Sequence, residues 1–224
     1  MGSYSRCAQV STLGASAAPP EALLRDSCLD LARCYTCVEV CRLARLHSGV
    51  LMPATDAILT YPDPRLRRTA EPVEEVTPEL RERVQAMFPL MYEAKGIGLA
   101  APQIGWNKRL FVINVTGEKE DELALINPRI LEKGGGTWLM EEGCLSLPGI
   151  HGKVRREKRI VVEAEDLDGN VLEIECDGLV ARCILHEYDH LDGVLFIDRL
   201  SPAKKQSLKR KLRALEERAA SAVR

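Results

Sequence analysis

Apolar positions recur at helical spacing in three segments of the chain. The first begins at Thr77-Pro78-Glu79, where a capping hydroxyl, a first-turn proline and an acid are typical of a helix N-terminus, and it closes at Gly96. Pro89 lies inside this segment, and we expect it to remove one backbone hydrogen bond and kink the helix. The second segment, Asp177 to Leu191, is strongly apolar, and the third, Lys204 to Ala220, is amphipathic.

Four other segments carry the branched apolar residues that are typical of β-strands. They are Arg109–Thr116, Leu123–Leu131, Arg159–Glu165 and Asn170–Cys176. The last two flank a turn at Asp168-Gly169, which predicts a hairpin. Strands followed by one apolar helix predict an α+β fold, in which antiparallel strands pack around the helix Asp177 to Leu191 and a basic helix follows at the C-terminus.

The composition of the 224 residues is typical of a globular protein, with 46% hydrophobic residues, 29% charged residues and a net charge of −2. This overall charge does not indicate a nucleic-acid or membrane partner, although the chain from Ser201 onward is locally basic. No apolar run reaches the roughly 20 residues that span a bilayer. The N-terminus lacks the cationic start and apolar core of a secretory signal, so we expect a cytoplasmic protein.

The composition changes near residue 52, which predicts three parts. Residues 1–51 are expected to be an N-terminal extension, disordered or added by a non-native start codon; residues 52–200 form the catalytic domain, and residues 201–224 the basic C-terminal helix. Five of the eight cysteines lie in the first 41 residues, which argues against a disulfide framework spread through the fold. The Cys34-x-x-Cys37-x-x-x-Cys41 pattern lacks histidines at zinc-finger spacing, so incidental cysteines are favoured over a metal clip.

The most informative motif is His186-Glu187-Tyr188-Asp189-His190. Residues four apart lie on one face of a helix, so His186 and His190 can bind one metal ion, with Glu187 beside them to handle a water molecule. The alternative is a buried helix with two incidental histidines, but two imidazoles and a carboxylate are costly to bury without partners. The motif therefore predicts metal-assisted hydrolysis.

Cys144, within Glu142-Gly143-Cys144-Leu145-Ser146, is the expected third ligand. Three protein ligands leave a tetrahedral ion with one open position, which catalysis requires. A lone cysteine is more often a small buried apolar residue, but a cation would stabilise its thiolate here. A zinc peptidase with the same HExxH motif is the alternative; it would take a downstream ligand, for which the chain after His190 offers only Asp192 and Asp198.

The segment Gly96-Ile97-Gly98-Leu99-Ala100-Ala101-Pro102-Gln103 superficially matches a dinucleotide-binding loop. That interpretation is disfavoured because the segment follows a predicted helix instead of a strand. We favour a loop whose exposed backbone pairs with an extended peptide and which brings Gln103 near the metal.

In order and spacing, the GIGLAAPQIG, EGCLSLPG and HEYDH motifs resemble those of the polypeptide deformylase family, over about Ile58 to Ala219. The resemblance implies an enzyme that removes the formyl group from the N-terminal formylmethionine of newly synthesised polypeptides and releases formate. It implies one divalent metal ion held by Cys144, His186 and His190. Fe²⁺ is the expected ion, and Zn²⁺, Ni²⁺ or Co²⁺ can occupy such a site.

The resemblance also implies roles for other residues. Glu187 would be the general acid/base, and the side-chain amide of Gln103 and the backbone N–H of Leu145 would stabilise the oxyanion. The residues implied to bind substrate are Ile97, Gly98, Leu179 and Cys183.

Two positions depart from the pattern of the family, namely Leu185, where glutamine is usual, and Pro89. Leu185 keeps open the alternative of a catalytically weak homologue that binds formylated peptides or ribosomes. The expected partners are formylated nascent polypeptides and, through the basic C-terminal helix, ribosomal RNA. We expect a monomer without membrane contact.

Overall fold

The computed structural model describes the backbone of Ala8–Thr12 and residues 57–222, with side chains from 57 to 221. These residues form three α-helices and six β-strands, joined by short 3₁₀ turns. The strands are β1 (Ala8–Thr12), β2 (Gly98–Ala100), β3 (Leu110–Ile113), β4 (Leu123–Glu142), β5 (Gly152–Glu165) and β6 (Val171–Asp177). The helices are α1 (Pro78–Glu93), α2 (Gly178–Leu191) and α3 (Pro202–Ala222).

The strands form one antiparallel sheet in the order β1-β6-β5-β4-β3-β2. Strands β2 to β6 are a meander in which each strand pairs with the next along the chain, and β1 pairs with β6. The predicted α+β fold with antiparallel strands is therefore confirmed. The predicted hairpin is present as β5 and β6, which pair from Arg159–Asp177 to Glu165–Val171.

Helices α1 and α2 cover opposite faces of the sheet at β3. Alternate residues of a strand point to opposite faces, and all four residues of β3 are buried. Leu110 and Val112 pack in the cluster that contains the α1 residues Val84 and Met91. Phe111 and Ile113 pack instead in the cluster that contains several apolar residues of α2. The HEYDH motif of α2 is thereby held against the sheet.

Helix α1 begins as expected but ends differently. The hydroxyl of Thr77 accepts a hydrogen bond from Leu80 N at 3.2 Å, and Pro78 occupies the first turn. The helix continues through Pro89, which lies on its exposed side, to Glu93. The left-handed residue that closes it is Lys95, with φ of 59°, and not Gly96 as expected.

Strand β4 is longer than expected and β2 was not predicted as a strand. Gly135 and Gly136 adopt positive φ values of 70° and 71°, where the β4–β5 register shifts between Gly134 and Thr137. The bulge lets β4 continue past the glycines to Glu142, the residue before Gly143-Cys144. The end of β4 therefore delivers the cysteine motif to the site.

Helix α3 packs its apolar stripe onto a third cluster. Leu208 and Leu215 are buried in it together with Leu147 and Ile150, which follow the cysteine motif. No described helix combines the length and the apolar character that crossing a membrane requires. The proposed boundary at residue 52 and the Cys34-Cys37-Cys41 pattern lie outside the described residues, so both stay predictions.

Candidate metal centre and active site

Three side chains converge where the cysteine motif meets α2. The ligand atoms of Cys144, His186 and His190 all lie within 4.8 Å of one another, and Cys144 Sγ is 3.2 Å from His190 Nε2. Among the described residues, this is the only group of three or more His, Cys, Asp or Glu side chains close enough to hold a metal ion. The two histidines come from adjacent turns of α2 and the cysteine from the loop that follows β4.

The donor set fits a divalent cation. Sulfur and imidazole ligands suit Zn²⁺, Fe²⁺, Co²⁺ and Ni²⁺ and leave an open coordination position when only three are present. Burial by itself lowers the pKa of His186, but hydrogen bonds with Cys144 and Glu142 raise it to about 10. Burial, reinforced by nearby His186, holds the pKa of His190 well below its ordinary value. His186 therefore carries a proton that a bound cation would displace.

A buried carboxylate orients His186. Glu142 Oε2 lies 3.0 Å from His186 Nδ1, which leaves the other ring nitrogen free to face Cys144. Arg156 donates to both oxygens of Glu142, at 2.7 Å and 2.9 Å. Burial alone would raise the pKa of Glu142, but hydrogen bonds from His186 and Arg156 lower it to about 2. Glu142 is thus an anion at every ordinary pH.

The same network reaches the middle of the HEYDH motif. Arg156 Nη1 donates to Asp189 Oδ2 at 2.8 Å, and Arg199 Nε donates to the same oxygen at 2.7 Å. Arg182, on the preceding turn of α2, donates to Glu142 and to the carbonyl oxygens of Val154 and Trp138. These contacts join β4, β5 and α2 around the ligands. None of them was expected from the sequence, although Glu142 and Asp189 lie within the recognised motifs.

Glu187, the residue after His186, has a buried side chain. Its side chain is only 4% exposed, and burial raises its pKa to about 7. A Cβ atom on Gly98 would lie 2.5 Å from Glu187 Oε1 and 2.9 Å from Cys183 Sγ, so only glycine permits this approach of β2 to α2. A carboxyl with a pKa near neutrality can both accept and donate a proton at physiological pH.

Two hydrogen-bond donors lie next to Cys144. Gln103 Oε1 accepts from Ala100 N at 2.8 Å, which turns the amide nitrogen toward Ser146 Oγ at 3.1 Å and Cys144 Sγ at 3.6 Å. In the part of the chain that the structure describes, the Leu145 N–H makes no hydrogen bond. Hydrogen-bond donors that are held in place in this way can stabilise a developing oxyanion.

The sequence-predicted site residues surround one cavity of about 350 Å³. All of them line it except His190, which is buried. The lining residues named from the sequence are Ile97, Gly98, Gln103, Cys144, Leu145, Leu179, Cys183, His186 and Glu187. Arg182 also lines the cavity and was missed, because one arginine in an apolar helix carries no sequence signal of its own.

One wall of the cavity is formed by Ile97 and Gly98, at the start of the edge strand β2. Strand β2 is the last strand of the described sheet, so the edge away from β3 has no partner strand there. Ile97 is 41% exposed, and its carbonyl oxygen accepts from Asn114 N at 2.9 Å and faces Cys183 Sγ at 3.4 Å. Such an edge can add an extended peptide as a further strand.

Leu185 does not contribute to the cavity. Its side chain is 5% exposed and packs in the cluster between α2 and the sheet, and its carbonyl oxygen accepts from Arg156 at 3.1 Å. An apolar side chain at position 185 makes no polar contact, and the polar contact to His186 comes from Glu142.

Comparisons with known proteins agree on one family. The family model described as "Polypeptide deformylase" matches residues 55–206. A peptide deformylase of Chromobacterium violaceum is 51% identical over 160 residues, which are 71% of this chain and 95% of that protein. One from Acinetobacter baumannii is 49% identical over 155 residues, covering 69% of this chain and 88% of that protein.

Solved structures give the same result. A peptide deformylase from Legionella pneumophila superposes with a TM-score of 0.69 at 44% identity, covering 75% of this chain and 98% of that one. One from Plasmodium falciparum gives a TM-score of 0.71 at 39% identity, covering 74% and 98%.

Proposed function

The chain belongs to the polypeptide deformylase family, and we propose that it is a metal-dependent hydrolase that removes the N-formyl group from the formylmethionine of nascent polypeptides, releasing formate. The observation that carries this function is the convergence of Cys144, His186 and His190 with Glu187 and Gln103 around one cavity. A strand edge that can hold an extended peptide forms the wall of the same cavity.

Cys144, His186 and His190 are proposed to hold the metal ion. When bound, a divalent ion lowers the pKa of water and polarises a carbonyl oxygen. We propose Fe²⁺ as the resident ion and Zn²⁺, Ni²⁺ and Co²⁺ as replacements, because one thiolate and two imidazoles suit all four. Glu142 supports this assignment by orienting His186 through its Nδ1 atom.

Glu187 is proposed to be the general acid/base. Its pKa of about 7 lets its carboxylate take a proton from the attacking water and pass it to the nitrogen of the leaving amine. Burial beside Gly98 keeps the carboxylate against the peptide edge without a competing solvent shell. The Gln103 amide and the Leu145 N–H are proposed to donate to the oxyanion, and the loss of one such donor commonly costs about 10²–10³ in rate.

The substrate is proposed to bind as an added strand along Ile97 and Gly98. Leu179 and Cys183, on the α2 side of the cavity, would contact the methionine side chain. The free edge of β2 supports the backbone part of this proposal, and the largely apolar pair on α2 supports the second part.

The zinc peptidase alternative is disfavoured by the position of its candidate ligands. Asp192 accepts a hydrogen bond from Arg109 at 2.8 Å, and Asp198 accepts from Leu195 N at 2.9 Å and pairs with Arg67. Within the described residues, Cys144 is the third donor beside the two histidines.

Other features of the enzyme are proposed on narrower grounds. The exposed cations of α3, which are Lys204, Lys205, Lys209, Arg210 and Lys211, support contact with ribosomal RNA. A cytoplasmic location is proposed because its nascent substrates arise at ribosomes, and a monomeric state is kept as the expectation to be tested by size-exclusion chromatography.

The direct test is product analysis with formyl-Met-Ala-Ser and anaerobically purified protein loaded with Fe²⁺ or Ni²⁺. We expect one formate and one free Met-Ala-Ser per turnover. Cleavage of an internal peptide bond would support the zinc peptidase. Peptide binding without either product would support the weak binding homologue, and Leu185→Gln would then be tested for recovery of turnover.

A further inference from the structure

A second, basic cleft adjoins the catalytic cavity. It has a volume of about 530 Å³ and lies between the β4–β5 hairpin and the start of α3. The residues that line it are Leu139, Glu141, Lys153, Arg155, Arg199, Leu200, Ser201 and Lys204. None of them has been assigned a part in the deformylation reaction above.

The register of the hairpin explains why these side chains meet. Leu139 lies opposite Arg155, and Glu141 lies opposite Lys153. Residues directly opposite in an antiparallel pair project from the same face, so these four side chains form one patch. Arg156, the residue after Arg155, points to the other face, where it is buried against Glu142. The basic cleft therefore occupies the outer face of the hairpin.

The charge of the cleft is largely uncompensated. Four cations line it against one acid, Glu141. Arg199 is paired with Asp189, and Arg155 donates to Thr137 Oγ1 at 3.3 Å. Within the described residues, the ammonium groups of Lys153 and Lys204 have no hydrogen-bond or ion-pair partner. Two free cations beside Leu139, which is 53% exposed, suit a ligand that carries carboxylates on an apolar or extended chain.

The cleft shares one lining residue with the catalytic cavity. Glu141, near the end of β4, lines both the catalytic cavity and the cleft. A polypeptide whose formylated end lies beside Cys144 must leave the cavity, and Glu141 is the residue that the cavity has in common with the cleft. The substrate of the proposed reaction is a polypeptide, so the residues that follow its formylmethionine are the candidate ligand of the basic cleft.

We propose that the basic cleft binds acidic side chains of the polypeptide substrate downstream of its formylmethionine. This proposal rests on the proposed deformylase function and makes Lys153 and Lys204 determinants of substrate preference. Occupancy of the cleft lowers KM for nascent chains with an acidic segment near the N-terminus. It leaves the chemical step unchanged, because the cleft residues do not contact the metal ligands or Glu187.

The test compares three peptides that begin with formyl-Met-Ala-Ser and continue with three glutamates, three glutamines or three lysines. An exposed ion pair contributes modestly, so two or three pairs predict a KM about 3- to 10-fold lower for the glutamate peptide than for the glutamine peptide. The kcat values are expected to agree among the peptides, and 0.5 M salt should remove the difference. Because an extended chain advances roughly 3.3 Å per residue, moving a single glutamate along the peptide locates the contact.

Charge reversal identifies the residues. The Lys153→Glu/Lys204→Glu variant is expected to lose the preference and to favour the lysine peptide. Lys158→Glu is the matched control, since Lys158 is an exposed cation of β5 outside the cleft, and it should keep the wild-type preference.

Each outcome decides. Formate release with one KM for all three peptides in the wild type would overturn the proposal while leaving the deformylase function standing. No formate from any peptide would instead overturn the proposed function. If the variant loses affinity for single-stranded RNA but the peptide preference is absent from the wild type, the cleft serves nucleic acid and the proposal is wrong.

Discussion

Replacing Glu142 by glutamine tests whether a buried anion holds the metal centre together. The carboxylate is buried beside three groups that it stabilises: it accepts from Arg156 and Arg182, and it lies against His186 Nδ1. Glutamine has nearly the same shape, so the change removes charge and one acceptor without opening a cavity. Glu141, the next residue, is exposed and supplies a matched control as Glu141→Gln.

The expected loss of stability can be worked out in two ways, which describe the same buried ion pair. The pKa of Glu142 falls from 4.5 to about 2 on folding, and this shift corresponds to about 3 kcal/mol of stability at neutral pH. Removing one partner of a buried ion pair costs roughly 3–5 kcal/mol, because the remaining charge stays buried. Here Arg156 and Arg182 are each only 3% exposed, so they cannot turn to solvent for compensation. We therefore expect Glu142→Gln to lower the free energy of unfolding by about 3 kcal/mol.

The sign of the pH dependence follows from the lowered pKa. The stabilisation by Glu142 is fully present above about pH 4.5, which is the pKa of this residue in the unfolded chain. It is lost as the pH falls toward 2, the pKa of Glu142 in the folded protein. Urea unfolding of metal-free protein between pH 3 and 7 should therefore show wild type and Glu142→Gln converging in acid. Metal affinity, measured by chelator competition, should drop about tenfold or more, since His186 loses its charged partner. Equal stability and equal metal affinity of the Glu142→Gln and Glu141→Gln variants would refute the reasoning.

Three further predictions concern other parts of the structure. Gly98→Ala should lower kcat for formate release about 10²-fold with metal content unchanged, because the new methyl group displaces Glu187. The control is Gly134→Ala, which should have nearly the wild-type kcat because the nearest atom to its new methyl group is 3.7 Å away. Equal kcat values for the two variants would contradict the close approach of Gly98 to Glu187. Pro89→Ala should raise the free energy of unfolding by about 1–3 kcal/mol in urea titrations, since an interior proline lacks a helical hydrogen bond, and no gain would show that α1 is already relaxed around it. Metal uptake at pH 7 should release at least one proton, because His186 carries one in the metal-free protein. Calorimetry in buffers of different ionisation enthalpy measures the number of protons released. Metal uptake without proton release would show that the site is already deprotonated.

The parts of the fold that could be predicted are those with a local pattern. The helices α1, α2 and α3 follow from apolar spacing and from the capping residues at Thr77, and the β5–β6 hairpin follows from two apolar runs around a glycine turn. The pairing of His186 with His190 is predictable for the same reason. Two histidines one turn apart lie on one face of a helix wherever that helix packs in the fold. Cys144 was proposed as their partner from ligand chemistry, and the structure places its sulfur within reach of both histidines.

The parts that were missed depend on contacts between distant segments. Strand β2 has three residues and exists through its pairing with β3, so a glycine-rich loop was the better interpretation of the sequence. The glycines at 134–136 signal a turn, but pairing with β5 carries β4 past them as a bulge. Arg156 and Arg182 became part of the site only when the β5 register and the α2 packing were known. No sequence spacing relates these two arginines to Glu142.

The central claim is that Cys144 holds a metal ion that this enzyme requires for deformylation. The most direct measurement is formate release and bound metal, determined together for Cys144→Ala and for Cys176→Ala, which removes a buried cysteine outside the cavity. The account predicts that Cys144→Ala stays folded, binds far less than one equivalent of metal and releases no formate, while Cys176→Ala keeps both. Wild-type formate release by a Cys144→Ala protein, or one tightly bound metal ion in it, would contradict the account.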